Sequence, residues 1–337
     1  MNFRKYLLAG ILILILAGIS FMIFPRCVRT DTSSQFIPGD APYSRPGPFQ
    51  TGMIEQVMPA DPPLNLTIWY PAQETGKADQ NLYYPYKIKI GDPFGLVTIA
   101  HYQGVAVPGA APDDSAAPYP LVILSPGFSI NSAAYAWLAE HLAGYGFVVI
   151  SPDHAENLDP ENQLWRSAIT RPQDIHAVLT YAEEKLLAEG ELQGLTDINS
   201  VAVIGHSYGG YTALAAGGAL IDTESFQTTC QEVLGTEEPG AWLCEMLLPK
   251  MPEMAELAGL DKVPDGLWPG WGDERVKAVV PIAGDAFFFD QPGLSQISVP
   301  VLAIGGTADV DSPYGWSTQP SFEYSAGLRK AQVALID

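Results

Sequence analysis

The run Val201-Ala202-Val203-Ile204-Gly205-His206-Ser207-Tyr208-Gly209-Gly210 decides how the rest of the chain is read. Its first four residues are apolar and rich in β-branched side chains, the pattern of a buried strand. A Gly-x-Ser-x-Gly turn follows at once, and then Tyr211-Thr212-Ala213-Leu214-Ala215-Ala216, a run suited to a tightly packed helix. The three letters alone are a weak signal; placed between a strand and a helix they are a strong one. The bend is so sharp that residues beside the serine must lack bulk, and the serine is held in a strained conformation with its hydroxyl exposed. Ser207 is therefore the candidate nucleophile. The bland alternative is a glycine-rich turn whose serine merely faces solvent.

Working outward, apolar β-type runs alternate with helical ones. Leu121–Leu124 reads as a short buried strand that ends at Ser125-Pro126-Gly127, Asn131–Gly144 as a helix, and Phe147–Ser151 as the next strand. A helix is expected from about Pro172 to Glu189, with Pro172 at its first position and Asp174 in its first turn. Beyond the serine, Val276–Ala283 and Val299–Gly305 resume the strand series, and Ala331–Asp337 looks like the final strand. This alternation predicts an α/β fold, a doubly wound, mostly parallel sheet covered by helices. Between about 222 and 274 the pattern changes to frequent Glu, Met, Trp and Pro without a strand, which reads as a helical cap insertion. Its Trp242, Trp268, Trp271, Met246, Met251 and Met254 suit either an apolar substrate pocket or the packing of the cap onto the core.

A serine hydroxyl is a poor nucleophile at neutral pH unless a histidine accepts its proton and a carboxylate orients that histidine. The negative charge that develops on an attacked carbonyl also needs fixed N–H donors. Tyr208, directly after the serine and at a helix N-terminus, is the first expected donor, and Phe128 in the loop after the earlier strand is the second. For the acid, Asp309 in the turn after Val299–Gly305 is preferred, with Asp285 as the alternative and Asp311 third. The five histidines are His101, His141, His154, His176 and His206, and none follows Ser207. The expected chain order is serine, acid, histidine. The base is therefore expected just beyond Asp337, with the C-terminal part of the domain missing from this sequence. His154, after a strand end, is a minor candidate.

The chain has 337 residues, 47% of them hydrophobic, enough for one large domain with an insertion. Its formal net charge of −21, from 38 acidic and 17 basic residues, argues against nucleic acid as a partner. Cys27, Cys230 and Cys244 form no metal-binding pattern, so no metal or other cofactor is expected. Cys230 and Cys244 could pair as a disulfide or remain buried thiols. Arg4 and Lys5 precede an apolar run from Tyr6 to Phe24, near the length of a membrane-spanning helix. Residues 1–29 are thus expected to be a signal anchor or, second, a signal peptide, with the catalytic domain exported and either membrane-anchored or secreted. Residues 30–60 read as a linker and 61–337 as the domain.

Leu66-Thr67-Ile68-Trp69-Tyr70-Pro71-Ala72, Ser125-Pro126-Gly127-Phe128, Pro152-Asp153-His154, Arg171-Pro172-Gln173-Asp174 and the serine motif together resemble α/β-hydrolase-superfamily serine hydrolases. The resemblance is to those related to platelet-activating-factor acetylhydrolase and to dienelactone-hydrolase-like proteins. It implies the α/β-hydrolase fold and a carboxylic-ester hydrolase of esterase or lipase type, acting on a small-molecule or lipid ester through an acyl-enzyme on Ser207. It also implies that an acid after the preceding strand, Asp285, is a real alternative. Two other functions fit the same residues: a hydrolase-like binding protein without turnover, and a serine peptidase or amidase.

Overall fold

The computed structural model describes residues 26–28, 43–75, 82–89, 96–155 and 164–336. In chain order the strands are β1 (Arg26–Val28), β2 (Gln50–Met58), β3 (Leu64–Ala72), β4 (Tyr83–Lys89), β5 (Leu96–Gln103), β6 (Val107–Pro108), β7 (Tyr119–Ser125), β8 (Val148–Asp153), β9 (Thr196–His206), β10 (Val276–Ile282), β11 (Val301–Gly306) and β12 (Lys330–Leu335). Nine of them form one sheet in the order β12-β11-β10-β9-β7-β8-β3-β2-β6. From β8 to β12 every neighbouring pair is parallel, while β3 runs antiparallel to both β8 and β2. The central strands are buried on both faces: Ile68, Trp69, Leu121, Ile123, Val148, Val149 and Val203 have no exposed surface. That is why they read as continuous apolar runs rather than alternating ones.

The helices are α1 (Ala136–Gly144), α2 (Leu164–Tyr181), α3 (Tyr208–Ala216), α4 (Thr223–Val233), α5 (Ala241–Leu247), α6 (Met251–Leu257), α7 (Asp290–Leu294) and α8 (Thr318–Tyr324). After β7 the chain passes through α1 to β8 on one side; after β8 it passes through α2 to β9 on the other side of β7. The strand order therefore reverses at β7. The loops leaving the C-terminal ends of β7 and β9 meet there, at the kind of crevice where open α/β sheets hold their sites.

Two expectations need correction. The linker read over 30–60 ends earlier, because Gln50–Met58 is a strand paired along its whole length with β3. Its glycine and polar residues hid it; residues such as Glu55 and Val57 lie on an outward face. The helix expected to begin at Pro172 runs over Leu164–Tyr181 with Pro172 inside it. Proline lacks the N–H that would bond the carbonyl of Ala168, and the hydroxyl of Tyr211 on α3 donates to that carbonyl at 2.7 Å instead. A tertiary contact thus satisfies the group that the proline frees. A small three-stranded sheet, β1-β5-β4, was also unforeseen.

The stretch from 222 to 274 holds α4, α5 and α6. Asp222 caps α4, accepting from Ser225 N–H, and a disulfide joins Cys230 of α4 to Cys244 of α5. Trp268, Met251 and Met254 are buried in the core, whereas Trp242 and Met246 are exposed. No described helix is long and apolar enough to cross a membrane; the apolar run Tyr6–Phe24 lies outside the described residues.

Candidate active site

Ser207 follows the last residue of β9 and precedes the first of α3, with φ 53° and ψ −123°. A left-handed φ is costly for a residue with a side chain, and the surroundings leave no other path. The Ser207 N–H donates to the Ile282 carbonyl on β10 at 2.9 Å, and its own carbonyl accepts from Gly210 N–H at 2.7 Å, starting α3. A Cβ on Gly205 would overlap the Gly209 carbonyl oxygen, and one on Gly209 would overlap the Ser125 carbonyl oxygen. The glycines are thus required by close backbone approach. Ser207 is half-buried, and its hydroxyl makes no hydrogen bond among the described residues.

The loop after β7 lies against this bend, since Gly209 packs on the Ser125 and Pro126 carbonyls. The Phe128 ring meets the Tyr208 ring edge-on at 6.1 Å. Almost every polar group of the loop is held. Ser125 Oγ is 3.0 Å from His154 Nε2. The Pro126 carbonyl accepts from Arg171 Nη1 at 2.9 Å and the Gly127 carbonyl from Arg171 Nη2 at 3.3 Å. Gly127 N–H donates to the Tyr135 hydroxyl at 3.0 Å. The Phe128 and Tyr208 N–H groups, by contrast, have no hydrogen-bond partner among the described residues.

The aspartates differ sharply. Asp285 is buried, accepts from Ser312 Oγ at 2.8 Å, and its carboxyl is pushed up to about 7, first by burial and further by the charges of Asp309 and Asp311, against the Ser312 hydrogen bond. Asp309 is only partly buried, and its Oδ1 accepts the N–H groups of Asp311 at 3.0 Å and Ser312 at 2.9 Å. Those bonds fix its orientation. Asp311 faces solvent.

None of the five histidines hydrogen-bonds to Ser207. His206 is half-buried and its Nδ1 lies 2.9 Å from the Tyr135 hydroxyl. That hydroxyl also accepts from Gly127 N–H, so it links His206 to the loop after β7. Burial depresses the His206 pKa, against the pull of Asp309. His154 is fully buried, with Nδ1 2.7 Å from Asp174 and Nε2 facing Ser125. His176 pairs with Asp273 at the surface, and His101 and His141 pack on the rings of Tyr83 and Tyr145.

A family model described as chlorophyllase matches residues 106–230, which include both the β7 loop and the bend at Ser207. Cutinase 1 of Thermobifida cellulosilytica is 34% identical over 92 residues, 27% of this chain and 32% of that protein. The bis(hydroxyethyl) terephthalate hydrolase of Streptomyces coelicolor is 33% identical over 95 residues, 28% of this chain and 27% of that protein. The matched stretch thus spans about a third or less of these relatives. A ferulic acid esterase from Streptomyces cinnamoneus superposes with a TM-score of 0.50 over 85% of this chain and 73% of its own, at 20% identity. The likeness to this esterase shows a shared α/β fold.

Within this α/β fold the structure brings Ser207, Tyr208 and Phe128 together from two loops, and puts Asp309 and Asp285 at the ends of adjacent strands. Sequence reasoning missed Arg171, used there only as part of a resemblance, and missed the Ser125–His154–Asp174 chain of hydrogen bonds. That chain repeats the residue order of a catalytic triad, but Ser125 and His154 have no exposed surface, so it braces the loop. An arginine and an aspartate three residues apart, on one face of a helix, are the signal that could have been followed.

Proposed function

We propose that this protein is an α/β-hydrolase, a serine carboxylic-ester hydrolase that works through an acyl-enzyme on Ser207. The observation that carries the reading is the left-handed Ser207, half-buried between β9 and α3, beside two backbone N–H groups that have no partner among the described residues. In this reading the hydroxyl attacks the ester carbonyl and the oxyanion forms against Phe128 and Tyr208 N–H. A histidine takes the Ser207 proton and returns it to the leaving alcohol, and a water then repeats the cycle on the acyl group. The acid is Asp309: two backbone N–H groups hold its carboxylate in place, whereas burial drives Asp285 toward the neutral form. β12 ends beside the Asp309 loop, where Thr307 N–H donates to the Leu335 carbonyl at 2.9 Å.

Relatives named as cutinase, bis(hydroxyethyl) terephthalate hydrolase and ferulic acid esterase support an ester substrate over an amide. The charged and apolar N-terminal segment and the Cys230–Cys244 disulfide support export to an oxidising compartment, with the segment as anchor or signal peptide. A fluorophosphonate should label the full-length protein, and Ser207→Ala should abolish both labelling and p-nitrophenyl butyrate hydrolysis. Labelling that survives the substitution overturns the reading; absence of turnover by the wild-type protein favours the binding-protein alternative.

A further inference from the structure

The oxyanion hole expected of this site is two backbone N–H groups, and a backbone group can be aimed only by holding its neighbours. The Phe128 N–H belongs to the same rigid peptide plane as the Gly127 carbonyl, and in a trans peptide the two point in opposite directions. Whatever holds the Gly127 carbonyl therefore sets the direction of the Phe128 N–H. Two donors hold it: Arg171 Nη2 at 3.3 Å and Ile130 N–H at 3.2 Å. Arg171 Nη1 holds the preceding carbonyl, that of Pro126, at 2.9 Å. One planar guanidinium thus grips two successive carbonyls, which an ammonium cannot do with the same geometry.

Arg171 also touches the other half of the hole. Its guanidinium carbon lies 5.5 Å from the centre of the Tyr208 ring, within range of a cation–π contact, and Tyr208 carries the second N–H donor. The arginine side chain has no exposed surface, so its charge is spent inside the protein rather than on solvent or on substrate. One turn further along α2, Asp174 reaches the same loop through His154 and Ser125 Oγ.

We propose that Arg171 is a positioning residue for the oxyanion hole: from α2 it fixes the Pro126–Gly127 carbonyls so that the Phe128 N–H points at the substrate oxyanion. The assignment rests on the Ser207 esterase reading. It goes beyond that reading by naming what builds the hole. A residue that only supports the fold would slow all substrates alike; one that aims an oxyanion donor acts on the carbonyl oxygen.

The test uses the full-length protein with Arg171→Lys, Arg171→Met and Arg171→Ala, and compares a p-nitrophenyl ester with its thionoester, whose sulfur accepts hydrogen bonds weakly and gains little from the hole. Removing one oxyanion donor costs about 10²–10³-fold in kcat. The expected result is an oxoester kcat lower by about 10²-fold in Arg171→Met, with KM changed by less than about threefold and the thionoester nearly unaffected. Millimolar guanidinium, but not sodium, should restore part of the oxoester rate in Arg171→Ala. An unchanged oxoester-to-thionoester ratio in the Arg171 variants, with Ser207-dependent turnover intact, overturns the assignment alone. Turnover that persists in Ser207→Ala overturns the esterase reading beneath it. Should the variants not fold, the wild-type protein decides by nuclear magnetic resonance: a boronate adduct must move both the Phe128 amide proton and the Arg171 guanidinium signals. An adduct that moves the Tyr208 amide without them is a negative result.

Discussion

Two aspartates stand at the ends of neighbouring strands, and their surroundings drive them apart in chemistry. Asp285, buried beside Ser312 and near two other carboxylates, has a pKa pushed up to about 7 from the usual 3.8. The folded protein then holds a proton between about pH 4 and pH 7 that the unfolded chain releases, so Asp285 removes stability as pH rises through that window and the full cost is present above it. Asp285→Asn, which keeps an acceptor for Ser312, is expected to raise the melting temperature at pH 8 by an amount worth on the order of 2 kcal/mol. Little gain is expected at pH 4, and an equal gain at both would show that charge is not the cause. For Asp309 the expectation concerns turnover. Losing the orienting carboxylate of a triad costs about 10⁴-fold in kcat, so Asp309→Asn should approach that loss while Asp285→Asn and Asp311→Asn stay within about tenfold. If the large loss instead follows Asp311→Asn, the acid lies two residues further on and Asp309 only caps its own loop.

Helix α2 shows how an element can contradict its own local rules. Pro172 inside it leaves the Ala168 carbonyl without its helical donor, and Tyr211 on α3 supplies one, while Tyr208 donates in the same way to the Leu164 carbonyl at 3.1 Å. These two hydroxyls dock α2 on the helix that begins just after Ser207. Both rings are wholly buried. Tyr211→Phe should therefore destabilise the fold by about 1–3 kcal/mol, the cost of a buried carbonyl left unsatisfied. Pro172→Ala restores an N–H to that carbonyl, so the double variant should recover part of the loss. Denaturant unfolding of the four proteins gives the coupling directly, and strictly additive losses would contradict the proposed exchange of donors.

Across the whole molecule, one core runs from the sheet into the helices of 222–274: Met251, Met254, Trp268 and the disulfide belong to the same buried cluster as Val203 and Tyr211. The disulfide joins residues 14 apart, and a loop of that size is worth about 3 kcal/mol through the entropy of the unfolded chain. Replacing both cysteines by alanine should lower the melting temperature by roughly 5 °C or more, as should reduction with dithiothreitol in the wild-type protein. A melting temperature unmoved by either treatment would mean that the segment gains nothing from the link.

The bend at Ser207, the central strands and the position of the loop after β7 were legible in the sequence because each depends on residues close together in the chain: glycines that a sharp turn demands, and apolar runs that strands buried on both faces demand. Ser207, Tyr208, Phe128 and the strand-end aspartates could be picked out as candidates for that reason. β2 was not legible, since an outer strand with one solvated face carries the polar and glycine residues of a loop. Nor was the frame of the site. Arg171 reaches carbonyls 45 and 44 residues away, His154 reaches Ser125 across 29 residues, and Tyr211 reaches Ala168 across 43. No local pattern marks such partners. Which buried donor meets which buried acceptor is fixed by the order of strands at the β7 reversal, because a polar group taken out of water must be paired with whatever the packing brings beside it.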